Sequence, residues 1–222
     1  MSLFSHLRVS SEYSISQGLL TVDQIVNNAV DKGIPSVALT DRTNMFGLVK
    51  FFDKCESSGV KPISGCSINV IFDDEDQAYE LLCLAKTNKG HKNLMKIISN
   101  AHNNNFYSSP IIKFNDLINL KDDIFVISGG KKSHIFEYIK RNNITDASNA
   151  VDKFTKYFKD DFAIEIQRTN RVDENDYIEN ILPISIQKGL PVIATNDVLF
   201  SSKDDFEIHE TKVCINTGKT LN

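Results

Sequence analysis

The segment HLRVSS (6–11) sets chemistry-bearing side chains at alternate positions. As a strand it would turn His6, Arg8 and Ser10 to one face, because successive side chains alternate. A row of histidines there could hold metal ions; one histidine followed by an arginine and a serine could not. Further polar residues sit at the ends of later apolar runs: Gln17 in the following loop, Asp41 and Arg42, Ser67, then Ser128, Gly129 and Gly130, Gln167 and Arg168, and Asn196 and Asp197. In a parallel β/α barrel these strand ends carry the functional groups. A catalytic zinc takes about three N, S or carboxylate ligands from the protein, and a paired-metal phosphoesterase needs more. His6 with one or two carboxylates falls short. The chain also has no Ser/His/Asp signature, no phosphate-cradling glycine loop and no GxGxxG.

The elements that must position these residues alternate along the chain. Apolar runs of strand length occur at 6–11, 36–41, 61–72, 79–86, 122–130, 161–168 and 191–197, several β-branched and continuous, as expected for strands buried on both faces. Helical patterns are predicted at 21–33, with Thr21 as N-cap and Gly33 as stop, and at 45–59, 91–105, 133–144, 147–159, 174–189 and 205–213. Pro183 is expected to kink or restart its helix. This alternation predicts an α/β fold with a mostly parallel sheet, seven strands being enough to curl into a barrel. The acidic run 73–76 and the Asn-rich stretch 103–105 read as solvated loops. The end, ETKVCINTGKTLN, lacks a closing element, so the 222 residues are expected to be an N-terminal piece of a longer chain.

Composition excludes several classes. Hydrophobic content of 41% and charged content of 24% describe an ordinary globular chain. A net charge of -4 argues against a whole-surface nucleic-acid binder, and basic residues do not interleave with aromatics. No apolar stretch approaches a membrane span and no signal peptide is apparent. Cys55, Cys66, Cys83 and Cys214 form no CxxC pair, which fits reduced thiols in a cytoplasm. Cys66 and Cys83 are expected in the core, as are Phe51, Phe52, Phe154 and Phe158. His6 is expected to satisfy a core or backbone hydrogen bond. His91, His102 and His134 are expected to be exposed, and His209 to pair with Asp205 on a helix.

Five blocks now stand in register: HLRVSSEYS, ALTDRTNMFGLVKFF, KPISGCSINV, LLCLAKTNKGHKNL and PVIATNDVLF. In this order they resemble the PHP (polymerase and histidinol phosphatase) family, and within it the domains at the N-terminus of the bacterial DNA polymerase III alpha subunit. The resemblance runs from about residue 4 to the end. It implies a distorted (βα)7 TIM-like barrel, with residues 1–222 as a single PHP domain. In metal-bearing members, histidines stand at the positions of Arg8 and Ser10, and an aspartate at Gln17. A histidine stands at Arg42, a glutamate at Ser67, a histidine at Glu80, a cysteine at Gly130 and a histidine at Leu199. Of these ligand positions only Asp197 keeps the family residue.

The resemblance therefore implies a vestigial metal pocket with no catalytic residue, no metal and no cofactor. A guanidinium cannot ligate a metal and repels cations. Arg8 or Arg42 is expected to compensate charge by pairing with Asp41 or Asp197, although Asp41 could instead cap the loop after its strand. The implied role is a scaffold in a cytoplasmic DNA-directed DNA polymerase, whose polymerase active site lies elsewhere in the chain. It would dock the proofreading exonuclease subunit and meet DNA only through the full-length polymerase, with no membrane contact. The alternative is a metal-dependent phosphoesterase, a 3′–5′ exonuclease or pyrophosphatase, using the PHP pocket.

Overall fold

The computed structural model describes residues 4–72, 77–103 and 109–221. The expected acidic loop 73–76 and residues 104–105 of the Asn-rich stretch lie outside them; Asn103 is the last residue of a helix. The chain divides into two compact units, Met1–Cys66 with Asp197–Asn222, and Ser67–Asn196.

In the first unit, helix α1 (Val22–Asp31) starts at a complete capping box. Thr21 accepts from the Gln24 amide while the Gln24 side chain accepts from the Thr21 amide. The helix buries Val22, Ile25, Val26 and Ala29. Strand β1 (Ser36–Leu39) pairs in parallel with the start of β2 (Lys61–Ile71), Ser36 opposite Lys61 and Leu39 opposite Ser64. Helix α2 (Leu48–Ser58) links them and buries Leu48, Phe51 and Cys55. These side chains join Val9, Leu20, Val37 and Leu39 in one apolar cluster. The segment 6–11, expected as a full strand, makes only isolated parallel bridges, His6 to Val37, Val9 to Val198 and Ser11 to Leu20.

In the second unit, the end of β2 pairs in parallel with β4 (Ile112–Lys113) and neighbours β3 (Ala78–Ala85). Helix α3 (Asn88–Asn103) follows β3, and α4 (Phe114–Asn119) follows β4. Strand β5 (Ile124–Ile127) is antiparallel to β3, a departure from the expected parallel order. Helices α5 (His134–Lys140) and α6 (Ile144–Phe158) lead to β6 (Phe162–Gln167), and α7 (Glu174–Gln187) to β7 (Val192–Thr195). Strands β5, β6 and β7 are parallel in that order. Strand β4 and helix α4 were not expected, since a two-residue strand has no period to read. Pro183 leaves α7 continuous: it sits on the exposed side, as does Glu179, whose carbonyl it deprives of an amide. The closing helix α8 (Phe206–Thr217) returns to the first unit.

Core expectations hold where apolar content drove them. Phe51, Phe154 and Phe158 are buried, and Cys66 and Cys83 are fully enclosed. Burial pushes the Cys83 thiol up to about 12 and the Cys55 thiol to about 11, so neither is a ready nucleophile. His134 is a correction: it is buried, stacked on Phe72 with ring centroids 4.4 Å apart, because it starts a helix that packs inward.

Candidate functional site: a ligand-poor pocket rim

In the first unit, backbone bonds bring the rim residues together. The Val198 amide donates to Arg8 O at 3.3 Å, the Ser10 amide to Val198 O at 3.0 Å, and the Leu19 amide to Leu199 O at 2.8 Å. Thr40 ties the first segment to β1, accepting from the Val9 amide at 2.9 Å and donating its hydroxyl to Val9 O at 3.1 Å. Arg8 is only 3% exposed; Ser10 and Leu199 are buried, while Gln17 and Asp197 are half-buried. Leu199 is a buried apolar side chain.

Asp41 is 2% exposed, and its carboxylate is served by serines. The Ser11 amide donates to Oδ1 at 2.7 Å, the Ser11 hydroxyl to Oδ2 at 2.7 Å and the Ser14 hydroxyl to Oδ1 at 2.7 Å. Burial raises its pKa above the ordinary carboxylate value, and the Ser14 and Ser11 bonds pull only partly back. The Cys66 thiol donates to Asp41 O at 3.1 Å, and the Ser14 hydroxyl accepts from the Arg42 amide at 3.0 Å. Asp41 therefore clamps the loop after the first segment. Arg42 is exposed, and among the described residues its guanidinium has no carboxylate partner. The expected pairing through Arg42 and Asp41 is absent because hydroxyls and an amide already fill the acid.

His6 also differs from expectation. Its Nδ1 is buried without a hydrogen-bond partner among the described residues, and the ring meets Phe4 edge-on at 4.8 Å. Burial, then the Lys32 charge, lowers its pKa. His209 does not pair with Asp205; its Nδ1 lies 3.0 Å from Gln17 O, and Asp205 instead accepts from the Ser202 amide at 2.9 Å.

The second unit holds Ser67, Glu80 and Gly130. Ser67 and Glu80 are buried, and Glu80 Oε2 lies 3.5 Å from the half-exposed Lys132 ammonium. Gly130 adopts φ +55, and a Cβ there would come 3.6 Å from Glu165 Oε2. Glu165, fully buried on β6, accepts from the Thr195 hydroxyl and from Gln167 Nε2 at 3.4 Å, and its own amide donates to the Ser128 hydroxyl at 2.9 Å. Nearby Tyr177 is fully enclosed, and burial drives its pKa up. The sequence reading missed Glu165, Ser11, Ser14 and Lys132. A lone acid inside the apolar run DFAIEIQR could have marked Glu165; nothing local marks a lysine that reaches Glu80 from 52 positions away.

Among the described residues, no group of three or more His, Cys, Asp or Glu side chains is placed to hold a metal ion.

The elements are those of an α/β fold, and its class is given by comparison. Residues 6–169 match the PHP domain, and the chain belongs to that family. It is similar to the DNA polymerase III subunit alpha of Escherichia coli (strain K12), 38% identical over 220 residues, and to that of Vibrio cholerae serotype O1, 36% identical over 220 residues. In both cases the match covers 98% of this chain and 19% of the relative, so the chain spans about a fifth of their length and corresponds to one domain of a larger polypeptide. Two solved structures share the fold at low identity. One is a putative metal-dependent phosphoesterase from Bifidobacterium adolescentis, with TM-score 0.61 and 12% identity over 96% of this chain and 97% of that one. The other is an amidohydrolase from Chromobacterium violaceum with bound sulfate and no metal, with TM-score 0.61 and 11% identity over 94% and 96%. The fold is of the distorted TIM-like type found in PHP proteins.

Proposed function

We propose that this PHP domain is non-catalytic. It serves as a scaffold in a cytoplasmic DNA-directed DNA polymerase, stabilises that chain and docks the separate proofreading exonuclease subunit. The observation that carries the reading is the content of the former ligand positions: a buried arginine at Arg8, serines at Ser10 and Ser67, Gln17, an exposed Arg42, Gly130 and a buried Leu199. A permanently protonated guanidinium supplies no lone pair to a metal, and a leucine supplies no donor atom. Glu80, the one substitution able to coordinate, is engaged by Lys132. Arg8 neutralises Asp197, a pairing supported by the backbone bond that sets residue 198 beside residue 8.

The test uses the full-length polymerase chain. Metal analysis after purification should find no stoichiometric zinc or manganese, and manganese should elicit no phosphodiesterase activity that Asp197→Ala removes. The same chain should co-purify with the exonuclease subunit. Activity lost in Asp197→Ala would favour the phosphoesterase reading, and failure to retain the exonuclease would remove the docking role. Asp197→Ala should also lower stability, by about 2 kcal/mol for a half-buried pair broken at one end.

A further inference from the structure

Helix α8 is built unlike its neighbours. Helices α1, α3 and α6 each bury one apolar stripe, whereas α8 buries no residue. Its apolar side chains do not share a side: at 3.6 residues per turn Ile208 and Ile215 lie almost in line two turns apart, while Phe206 and Val213 fall on the opposite side. The flank between them is anchored, His209 against Gln17 O at 3.0 Å and the Lys212 ammonium donating to Gly18 O. Phe206 leans on Phe200 at 6.4 Å between ring centroids. Among the described residues nothing covers the other side, where Ile208 is 60% and Ile215 78% exposed. A helix that is apolar on opposite sides is a helix meant to be covered on both, and adjoining exposed apolar side chains mark a contact surface.

The relatives say what is available to cover it. A match over 98% of this chain occupies 19% of the polymerase subunit, leaving about four-fifths of such a polypeptide outside these residues. Helix α8 ends at Thr217, so whatever follows residue 222 starts within a few residues of the exposed face. A tethered segment competes at a high effective concentration against any separate partner. We propose that the Ile208–Ile215 face of α8 is the seat of the polypeptide that follows residue 222 in the full-length chain, and that this segment presents apolar side chains to it. The inference rests on the chain being one domain of a longer polypeptide and is independent of whether the pocket binds metal.

The test is thiol labelling in the full-length chain. Ile215→Cys is placed in a Cys214→Ser background, where Cys55, Cys66 and Cys83 are buried. A maleimide should modify position 215 at least roughly tenfold more slowly than a short cysteine peptide, because labelling then requires the covering segment to open. Adding Ile208→Asp should restore much of the peptide's rate. Labelling at the peptide's rate in the single variant would overturn the proposal. Protection that vanishes on dilution would assign the face to a second copy, and protection seen only with the exonuclease subunit present would assign it to that partner; either result also overturns it. None of these outcomes bears on the metal analysis that tests the non-catalytic reading.

Discussion

The two units solve one packing problem alike and one electrostatic problem differently. In each, a glycine presses its Cα against the carbonyl of a rim residue. A Cβ on Gly18 would lie 1.9 Å from Ser11 O in the first unit, and a Cβ on Gly129 would lie 1.9 Å from Glu80 O in the second. Each unit also buries an acid beside that contact. The first satisfies Asp41 with neutral donors held by short bonds, whereas the second offers Glu80 a lysine at 3.5 Å whose side chain is half in water. Neutral donors require the loop to stay in place, because geometry supplies the whole interaction. A lysine tolerates slack, because charge acts at longer range, but solvent screens it. The Asp41 contact therefore depends on exact placement of its donors, whereas the Lys132 contact to Glu80 depends on charge.

The largest effect is expected from the glycines. Gly129→Ala meets both a carbonyl clash and a φ of +85, so it should destabilise the protein by about 3 kcal/mol or more, read from the urea midpoint. Gly18→Ala meets the clash without the positive φ and should cost less. If Gly18→Ala proves the worse of the two, backbone strain is not what separates the units.

Next comes Asp41→Ala, which strands the buried Ser11 amide and two hydroxyls. A loss of about 3 kcal/mol is expected in the same unfolding measurement. A change below about 1 kcal/mol would mean that water replaces the carboxylate and that the clamp is not rigid.

The pH dependence of this clamp has a definite sign. The folded carboxyl of Asp41 is held above its ordinary value of 3.8, so the proton it retains favours the folded state. That contribution is complete below the unfolded value and disappears as pH rises through the folded one. The stability of the wild type minus that of Asp41→Asn should therefore fall as pH is raised from about 4. A difference that rises instead would place the serine bonds ahead of burial.

The smallest effect belongs to Lys132→Ala. The half-exposed lysine should contribute under about 1 kcal/mol, and high salt should erase most of the difference. A salt-independent loss near that of Asp41→Ala would erase the contrast between the units.

Much of the architecture was legible because burial leaves a local signature. The Thr21 cap, the stripe of α1 and the apolar runs that became β1, β2, β3, β5, β6 and β7 can be read from a few neighbouring residues. Strand direction cannot, and β5 turned out antiparallel to β3, since pairing is decided by distant chain. The substitutions at Arg8, Ser10, Arg42 and Leu199 were legible only against a family pattern. The partners of Asp41 were not legible: Ser11 and Ser14 stand about 30 residues from it, and serines are too common to signal. His134 was misread because a residue at a helix start is exposed only if that end faces water, and this one lies under Phe72.

Pro183 carries a consequence beyond the folded helix. Its ring removes one backbone bond from α7 in the native protein, yet it also stiffens the denatured chain, which then has less conformational freedom to lose. The two effects oppose each other, so alanine at this position would regain an amide while loosening the denatured ensemble. A helix interrupted on its wet side can thus hold its proline at little net cost.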